Sequence, residues 1–583
     1  MSVIRTVKKF ALILSKHQKF RIFELAILMV LAGFIEMLSV SLILPFMEAV
    51  MNRDKFMSNS YVRMICDILN IQSYRTFLVL LAILMAIIYI LKNAFLLFQM
   101  MVQNRFVNNN RFTVQKRLLS NYLSRPYEFF LDVKSGDVIQ IVNNDTSAVF
   151  GLLTTLLSFF SETVVSVALI GTIIVIAPGI TLAVALLMFV MVAIIQVFFR
   201  PRLQKIGMNG RLSSAALNQW LIQSIQGIKE IKIMRREKFF KRKFAEIGDV
   251  AVRSAYLYST LSVFPRFIIE AVSMATFFIV IAAMIYRGIE LESVVPMLSG
   301  IAMAAIRLLP SINRISSCLA TLSYNEPSLD KMCEKLREMD EYINIEDDVD
   351  DIIDNSDEND SCGIIDLRKI SYRYPKGEKY ILRNADMEIK QGESIGIIGP
   401  SGAGKTTAMD IIIGLLRPSE GDVLYKGKNI RLDMEGWLNH VGYIPQTIFM
   451  MDGNIRENVA FGVPNGEIDD NRIWEVLKEA AIDDFIKSLP DGLDTELGEH
   501  GIRLSGGQRQ RIGIARALYS NPEILFFDEA TSALDNDTEK EIMESINGLH
   551  GSKTLIIIAH RLTTIKDCDH VFRVENQRII QER

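Results

Sequence analysis

Six long apolar segments in the first 310 residues constrain the fold of this chain more than any other feature. They lie at about 23–50, 77–101, 149–176, 180–199, 261–286 and 293–310. A helix of about 20 apolar residues crosses the hydrocarbon core of a bilayer, where only helices and closed barrels satisfy every backbone hydrogen bond. We therefore predict an all-α transmembrane domain of six helices, with the lipid bilayer as one partner of the chain.

Positive charge is distributed unevenly among the connections between these segments. Residues 200–260 carry 13 Lys or Arg, and residues 103–147 carry six. The short turns at 177–179 and 287–292 carry only Arg287. Because Lys and Arg concentrate in cytoplasmic loops, we predict a multi-pass protein of the cell inner (plasma) membrane. Its N-terminus, both long loops and the C-terminal half are then cytoplasmic.

Two connecting segments have a distinctive composition. The segment 51–75 has apolar residues at helical spacing, so it is either an external helix at the membrane surface or a loop helix with only a packing role. Residues 340–360 include eleven acidic and no basic residues, and such a run stays solvated. We therefore assign 1–335 to the transmembrane domain, 336–362 to an acidic linker and 363–583 to a soluble domain.

A glycine-rich segment joins a buried-strand pattern to a helical pattern in the soluble domain. It reads Gly399-Pro400-Ser401-Gly402-Ala403-Gly404-Lys405-Thr406-Thr407. Glycines let backbone N–H groups turn towards phosphate oxygens, and the helix N-terminus adds its dipole. In this pattern Lys405 reaches the β- and γ-phosphates and the Thr406 hydroxyl ligates Mg²⁺. The segment thus predicts ATP and Mg²⁺ as cofactors.

Acidic residues at a strand end extend this candidate site. Asp528 follows the apolar run 524–527, where a carboxylate can hold Mg²⁺. Glu529 comes next and is placed to polarise the attacking water as a general base. His560 ends a second apolar run, 554–559, although a histidine in such a position is more often structural.

The segment Leu504-Ser505-Gly506-Gly507-Gln508 is particular to one family. With it, nearly the whole chain resembles an ATP-binding cassette (ABC) exporter half-transporter. The resemblance implies a multidomain fold, with the six-helix transmembrane domain followed by an α/β P-loop ATP-binding cassette domain. It also implies further roles: Tyr374 stacks on adenine, Gln446 reaches Mg²⁺, Glu499 lies beside coupling helices, Asp535 crosses the dimer interface and His560 contacts the γ-phosphate.

The resemblance also implies a second chain. In this family ATP lies between the phosphate loop of one domain and the Leu-Ser-Gly-Gly-Gln segment of another, and this chain has one copy of each. The second chain is either another copy, which gives a homodimer with two identical sites, or a different half-transporter, which gives a heterodimer. The complete motif set favours the homodimer. Short coupling helices, near 126–131 and 219–227, are expected to transmit the closing motion of the ATP domains to the transmembrane helices.

Ionisable residues within the predicted spans are candidates for contact with the cargo. They are Glu36, Lys92, Glu162, Arg266, Glu270 and Arg307. Arg266 and Glu270 are four residues apart, which also suits a structural ion pair. Lys92 and Arg307 have no acid at that spacing within their spans. We predict that these two, with Arg266, bind an anionic cargo; structural pairing with Glu36 or Glu162 is the competing interpretation.

The segment 33–46 and the long 51–75 connection resemble bacterial flippases of lipid-linked oligosaccharides. This resemblance implies ATP-driven flipping of an anionic lipid-linked substrate by alternating access. A multidrug or general lipid exporter is the alternative, and an ATP-gated channel or a transport-inactive regulator is a different class. The net charge of -3 gives no indication of a nucleic-acid partner.

Overall fold

The structure is a computed structural model of the chain. It describes residues 2–42, 46, 49–50, 73–176, 178–286, 291–347, 363–375, 377–498, 501–529, 536–559 and 565–583. Their contacts form two compact units. The helical unit comprises Met1–Arg125 and Asp132–Asp347, and the α/β unit comprises Pro126–Leu131 and Asp348–Arg583.

Several sequence predictions lie outside the described residues. They concern the segment 51–72, the linker residues 348–362, the site residues Glu499, Asp535 and His560, and the side chain of Arg307. Their roles remain predictions. The first part of the predicted linker is described, and there the last helix of the helical unit continues as far as Asp347.

The first half of the chain folds into long helices, as its apolar segments predict. In chain order they are α1 Ser2–Ile13, α2 Lys16–Ser41, α3 Tyr74–Leu123, α4 Tyr127–Asp132, α5 Ser135–Ile139, the π-helix Gln140–Asp145, α6 Thr146–Ile176, α7 Pro178–Gln226, α8 Ile228–Ile233, α9 Glu237–Tyr286 and α10 Leu291–Asp347. At 1.5 Å per residue, the 50-residue α3 is about 75 Å long. This is more than twice the thickness of a hydrocarbon core, about 30 Å, so such a helix extends well beyond a bilayer.

Three helical stretches among the described residues are long and apolar enough to cross a membrane. They are Lys16–Ser39, Tyr74–Leu123 and Ser135–Ala168, and they overlap the first three predicted spans. The fourth, fifth and sixth predicted spans fall within α7, α9 and α10. Many side chains of those three helices lie outside the described set.

The π-helix holds a buried polar cluster that the sequence analysis did not find. Asp145 at its end is only 1% exposed. Arg211 of α7 lies 2.8 Å from its carboxylate, and Ser328 of α10 donates a hydrogen bond to it over 3.0 Å. A buried carboxylate needs such partners, so this cluster ties α7 and α10 to the start of α6.

The α/β unit contains two sheets. Its elements are β1 Ile365–Tyr372, β2 Leu382–Ile389, β3 Ser394–Ile398, α11 Lys405–Ile413, β4 Glu420–Tyr425, β5 Lys428–Asn429, α12 Met434–Asn439, β6 Val441–Ile444, α13 Ile455–Val459, α14 Asp470–Glu479, α15 Asp483–Lys487, α16 Gly506–Tyr519, β7 Ile524–Asp528, α17 Asn536–Asn547, β8 Thr554–Ile558, β9 His570–Glu575 and β10 Arg578–Gln581. The smaller sheet is antiparallel, in the order β2-β1-β4-β5. The larger has the order β10-β9-β3-β8-β7-β6 and is parallel except for β10.

The larger sheet positions the candidate site. Every residue of β3, β7 and β8 is buried, as expected for parallel strands covered on both faces. Because the strands are parallel, their carboxyl ends meet at one edge, where open α/β sheets bind ligands. The glycine-rich segment follows β3 and the acidic pair lies at the end of β7, so the fold brings both motifs to that edge.

Candidate functional site

The loop between β3 and α11 requires glycine at two of its positions. Gly399 has φ +150, and a Cβ there would lie 2.3 Å from the carbonyl oxygen of Val574. Gly404 has φ +101, and its Cβ would lie 2.6 Å from Cγ2 of Ile381. Any larger residue would clash at these sites, so the two glycines of the motif are needed to place the loop before the N-terminus of α11.

Lys405 lies across this loop. Its side-chain Nζ donates to the carbonyl oxygens of Gly399 and Pro400, over 3.1 and 3.3 Å. The residue is only 6% exposed, and a buried ammonium requires such acceptors. The structure therefore holds a positive charge against the loop that the sequence predicts to bind phosphate. Beside it, the hydroxyls of Tyr374 and Thr407 are 3.1 Å apart.

The predicted metal ligands Thr406 and Asp528 also come together. The Thr406 hydroxyl donates to Oδ1 of Asp528 over 3.4 Å. Burial raises the pKa of the Asp528 carboxyl, and the neighbouring Glu529 raises it further. A bound cation would reverse this penalty, because its charge favours the ionised carboxylate. The hydroxyl and carboxylate oxygens are ligands of the kind that Mg²⁺ takes.

Glu529 and Gln446 form the next layer of the site. Nε2 of Gln446 donates to Oε2 of Glu529 over 2.9 Å. Glu529 has φ 49, a conformation that non-glycine residues seldom adopt and that is concentrated at functional sites. The structure thus brings together the predicted general base and the predicted glutamine ligand at the end of β7.

Two residues of this region were not among the predicted site residues. The Tyr443 hydroxyl donates to Oδ2 of Asp528 over 3.5 Å. Burial, together with the charge of Asp528, raises the pKa of Asp410 to about 6. Tyr443 stands three residues before Gln446, and Asp410 is the one acid on α11. Those two signals were available in the sequence.

The Leu504–Gln508 segment forms the N-terminus of α16. The Ser505 hydroxyl accepts from the backbone N–H of Gln508 over 3.2 Å, and the Gln508 side chain accepts from the backbone N–H of Ser505 over 2.8 Å. This is a capping box. Ser505 and Gly506 are exposed, whereas Leu504 is buried. Among the residues that the structure describes, no hydrogen bond or ion pair joins this segment to the phosphate loop.

Residues 126–131 belong to the α/β unit although they come from the first half of the chain. Glu128 of α4 accepts from the Tyr372 hydroxyl over 3.3 Å and from the backbone N–H of Arg417 over 3.1 Å. This confirms that the segment predicted as the first coupling helix is helical and packs against the ATP domain. The second predicted segment, 219–227, covers the end of α7 and the turn before α8, within the helical unit.

Charged side chains in the helical unit form ion pairs between helices. Nζ of Lys92 on α3 lies 3.9 Å from Oε1 of Glu36 on α2, and the Lys92 side chain is 12% exposed. Arg314 on α10 donates to Glu162 on α6 over 2.5 Å. Arg314 was not a candidate, because it lies just beyond the end of the sixth predicted span.

Arg266 has a different environment from Lys92. It is exposed on α9, as is Glu270. Within the described residues, these two side chains do not form an ion pair within 4.0 Å. Of the three basic residues predicted to bind an anionic cargo, the structure therefore pairs Lys92 with an acid and leaves Arg266 exposed.

Comparisons with known proteins cover both units. The family described as "ABC transporter transmembrane region" matches residues 20–305, and the family described as "ABC transporter" matches residues 382–532. A "Multidrug resistance ABC transporter ATP-binding and permease protein" of Lactococcus lactis subsp. lactis (strain IL1403) is 28% identical, over 80% of this chain and 77% of the relative. An "ATP-dependent lipid A-core flippase" of Bordetella avium (strain 197N) is 29% identical, over 81% of this chain and 79% of the relative.

A solved structure is similar over almost the full length of the chain. It is that of a bacterial Atm1-family ABC exporter with ATP bound, and it matches with a TM-score of 0.75. The alignment covers 96% of this chain and 94% of the other, at 22% sequence identity. At that identity the likeness concerns the fold alone. With the family matches, it confirms the predicted fold class, a helical transmembrane domain of exporter type followed by an α/β ATP-binding domain.

Proposed function

The chain belongs to the ABC transporter family as an exporter half-transporter, and we propose that it flips an anionic, lipid-linked oligosaccharide across the inner (plasma) membrane by alternating access. It is an ATP-driven exporter; the cargo, the membrane and the orientation are the proposed part. The Bordetella relative named as a lipid A-core flippase supports a lipid-linked cargo. The N-terminus and the ATP domain are cytoplasmic in this proposal, following the positive charge of the long loops.

The observation that carries the ATP-hydrolysing role is the convergence of groups at the ends of β3 and β7. The phosphate loop fits a triphosphate, because Gly402 faces open space and Lys405 is held against the loop. Thr406, Gln446 and Asp528 have the oxygen ligands to hold Mg²⁺. When bound there, the ion would neutralise phosphate charge and polarise the phosphoryl oxygens.

The residues of this chain divide the remaining work. Glu529 takes a proton from the attacking water, and the hydrogen bond from Gln446 orients its carboxylate. Tyr374 stacks on the adenine, and His560 contacts the γ-phosphate. Ser505, Gly506, Gly507 and Gln508, with Asp535, complete the site of a second copy in a homodimer. Ser505 and Gly506 are exposed at the N-terminus of α16, which supports this last assignment because the helix dipole there suits an anion.

The cargo assignment depends on the basic residues at membrane depth. A Lys or Arg at the centre of a bilayer costs at least about 2.5–3.5 kcal/mol on insertion scales, so each needs a partner, water or a ligand. Lys92 is 3.9 Å from Glu36, a separation too long for a hydrogen bond. We propose that a phosphate or pyrophosphate group of the cargo takes the place of Glu36 beside Lys92 and contacts Arg266 and Arg307.

A second candidate function is multidrug export, which the name of the Lactococcus relative supports. Purified protein in liposomes separates the candidates. Pyrophosphate-linked glycans are expected to stimulate ATP hydrolysis and to accumulate in the opposite leaflet, with the Glu529→Gln variant as an inactive control. Stimulation by drugs alone would identify a multidrug exporter, and ATP hydrolysis without movement of any cargo would identify a channel or a transport-inactive regulator.

A further inference from the structure

A groove lies between α2 and α3 of the helical unit, and the residues of the ion pairs at membrane depth do not line it. Its volume is about 600 Å³. One part of its lining is polar and includes Arg21, Glu24 and Arg105. The other part is apolar and includes Leu28, Phe98 and Val102. The groove thus combines charged groups with a wall that suits a hydrocarbon chain.

The position of the groove along the two helices corresponds to one edge of the bilayer. The first predicted span begins near residue 23 and the second ends near residue 101, so Arg21 and Arg105 flank their cytoplasmic ends. Leu28 and Phe98 lie inside those spans. The polar part of the groove therefore falls at headgroup level and the apolar part at acyl-chain level, on the side of the membrane where the basic N-terminus lies.

The charges of the groove favour an anion. Arg21 and Arg105 are exposed, and among the described residues no carboxylate lies within 4.0 Å of either guanidinium. With Glu24, the lining carries a net charge of about +1 at neutral pH. A guanidinium binds phosphate through two parallel hydrogen bonds, and basic pockets between transmembrane helices on the cytoplasmic side bind anionic lipid headgroups.

We propose that this groove binds an anionic glycerophospholipid of the cytoplasmic leaflet. Arg21 and Arg105 hold the headgroup phosphate, and an acyl chain lies along Leu28, Phe98 and Val102. Glu24 limits the site to headgroups of low negative charge. This lipid is distinct from the cargo, because Lys92 and Glu36 do not line the groove, and its binding requires neither ATP nor transport.

The test uses the full chain in lipid nanodiscs, with Phe98→Trp as a fluorescent reporter. Lipids brominated on their acyl chains quench a tryptophan that they contact. Brominated phosphatidylglycerol is expected to quench at about tenfold lower mole fraction than brominated phosphatidylcholine. One or two basic residues near the membrane surface provide a preference for anionic lipid of this order. The parent protein without the reporter corrects for Trp220, Trp437 and Trp474.

Charge variants locate the preference in the groove. Arg21→Ala combined with Arg105→Ala is expected to reduce it to within about twofold of phosphatidylcholine. Lys16→Ala combined with Lys19→Ala is the matched control, because it also removes two positive charges, both near Arg21 on α2, without altering the lining. If the alanine pair unfolds, Arg21→Gln with Arg105→Gln replaces it.

Two further arms identify the ligand. Glu24→Gln is expected to strengthen quenching by phosphatidylglycerol, and millimolar inorganic phosphate is expected to leave it unchanged. Any of four results would overturn the proposal: equal quenching by the two lipids, a preference that survives loss of both arginines, displacement by free phosphate, or a preference for phosphatidylethanolamine that Glu24→Gln removes. Absence of quenching by every lipid would overturn it too, because the groove would then be filled by protein, such as a second copy.

Discussion

The two units differ in where they place apolar residues: the central strands of the α/β unit bury them, whereas α3 of the helical unit exposes them. In the α/β unit every residue of β3, β7 and β8 is buried. On α3 of the helical unit, Ile83, Ile87 and Ile90 are 50%, 48% and 68% exposed. Exposure to water costs about 25 cal/mol per Å² of apolar surface, whereas lipid tails are as apolar as leucine. The same hydrophobicity thus specifies a dry protein core in one unit and a lipid-facing surface in the other.

The units differ equally in how they treat charge. The α/β unit places Asp528 and Glu529 together at one sheet edge, where Asp528 is 7% exposed. In the helical unit, Lys92 with Glu36 and Arg314 with Glu162 form separate ion pairs between helices. We infer that chemistry is concentrated in the first unit and distributed in the second. Substitutions should therefore have their largest effects in the α/β unit.

The largest effect is expected from Glu529→Gln. Loss of the general base should lower ATP turnover by at least about a hundredfold, while ATP binding remains and the closed, ATP-bound dimer accumulates. Turnover and nucleotide binding of the purified protein measure this, with Glu523→Gln, an acid at the opposite end of β7, as the control. A rate near that of the wild type would show that Glu529 is misassigned and would make His560 the stronger candidate.

The second prediction concerns the sharing of one site by two chains. Neither a Ser505→Arg homodimer nor a Lys405→Ala homodimer should hydrolyse ATP. In a mixed dimer, one of the two sites has both native partners, so about half of the wild-type rate per dimer is expected if the sites act independently. Co-purification through two affinity tags verifies the mixed assembly. A tagged mixed dimer without ATPase activity would contradict the composite site.

The third prediction tests the distributed charges. In nanodiscs, Lys92→Ala and Arg307→Ala are expected to abolish cargo-stimulated ATP hydrolysis and flipping, with basal hydrolysis and thermal stability nearly unchanged. A structural role predicts the reverse, because removing Lys92 would leave Glu36 without its partner and lower stability first. Arg314→Ala is the comparison, since it breaks a pair outside the predicted binding set. Normal flipping of a pyrophosphate-linked glycan by the double variant is incompatible with the proposal.

The smallest effect is expected from Asp410→Asn. The folded pKa of Asp410, about 6, lies above its ordinary value of 3.8. Ionisation of Asp410 therefore destabilises the folded protein. The protonated carboxyl contributes favourably to the free energy of unfolding at low pH, and this contribution is lost as the pH rises through about 6. At pH 8 the variant should have a higher Tm than the wild type, by about 2–4 °C per kcal/mol of stability gained. At pH 4 the two Tm values should be nearly equal.

Fluorescence of Trp437 and Trp474 can follow this unfolding without nucleotide or metal. Asp484→Asn, at a side chain that is 99% exposed, is the matched control for loss of one aspartate. If Asp410→Asn and the wild type have the same Tm at pH 8, ionisation of the Asp410 carboxyl does not destabilise the folded protein, and the prediction is wrong.

The sequence predicted those parts of the protein that depend on local patterns. The apolar runs predicted the helices, and the glycine-rich segment predicted the loop between β3 and α11, where Gly399 and Gly404 have positive φ angles. Contacts between distant segments could not be predicted in the same way. Arg314 and Glu162 are 152 residues apart, and no periodicity relates them. The cluster around Asp145 also depends on three separate helices that only the tertiary fold brings together.

The contribution of α4 to the α/β unit means that the boundary between the two units does not coincide with a single cut in the chain. A fragment starting at residue 363 would contain all the ATP-site motifs, yet would lack residues 126–131 of its own unit. The buried Tyr372 hydroxyl would lose Glu128, and so would the backbone N–H of Arg417. Such a fragment is an incomplete folding unit, because residues 126–131 are absent from it.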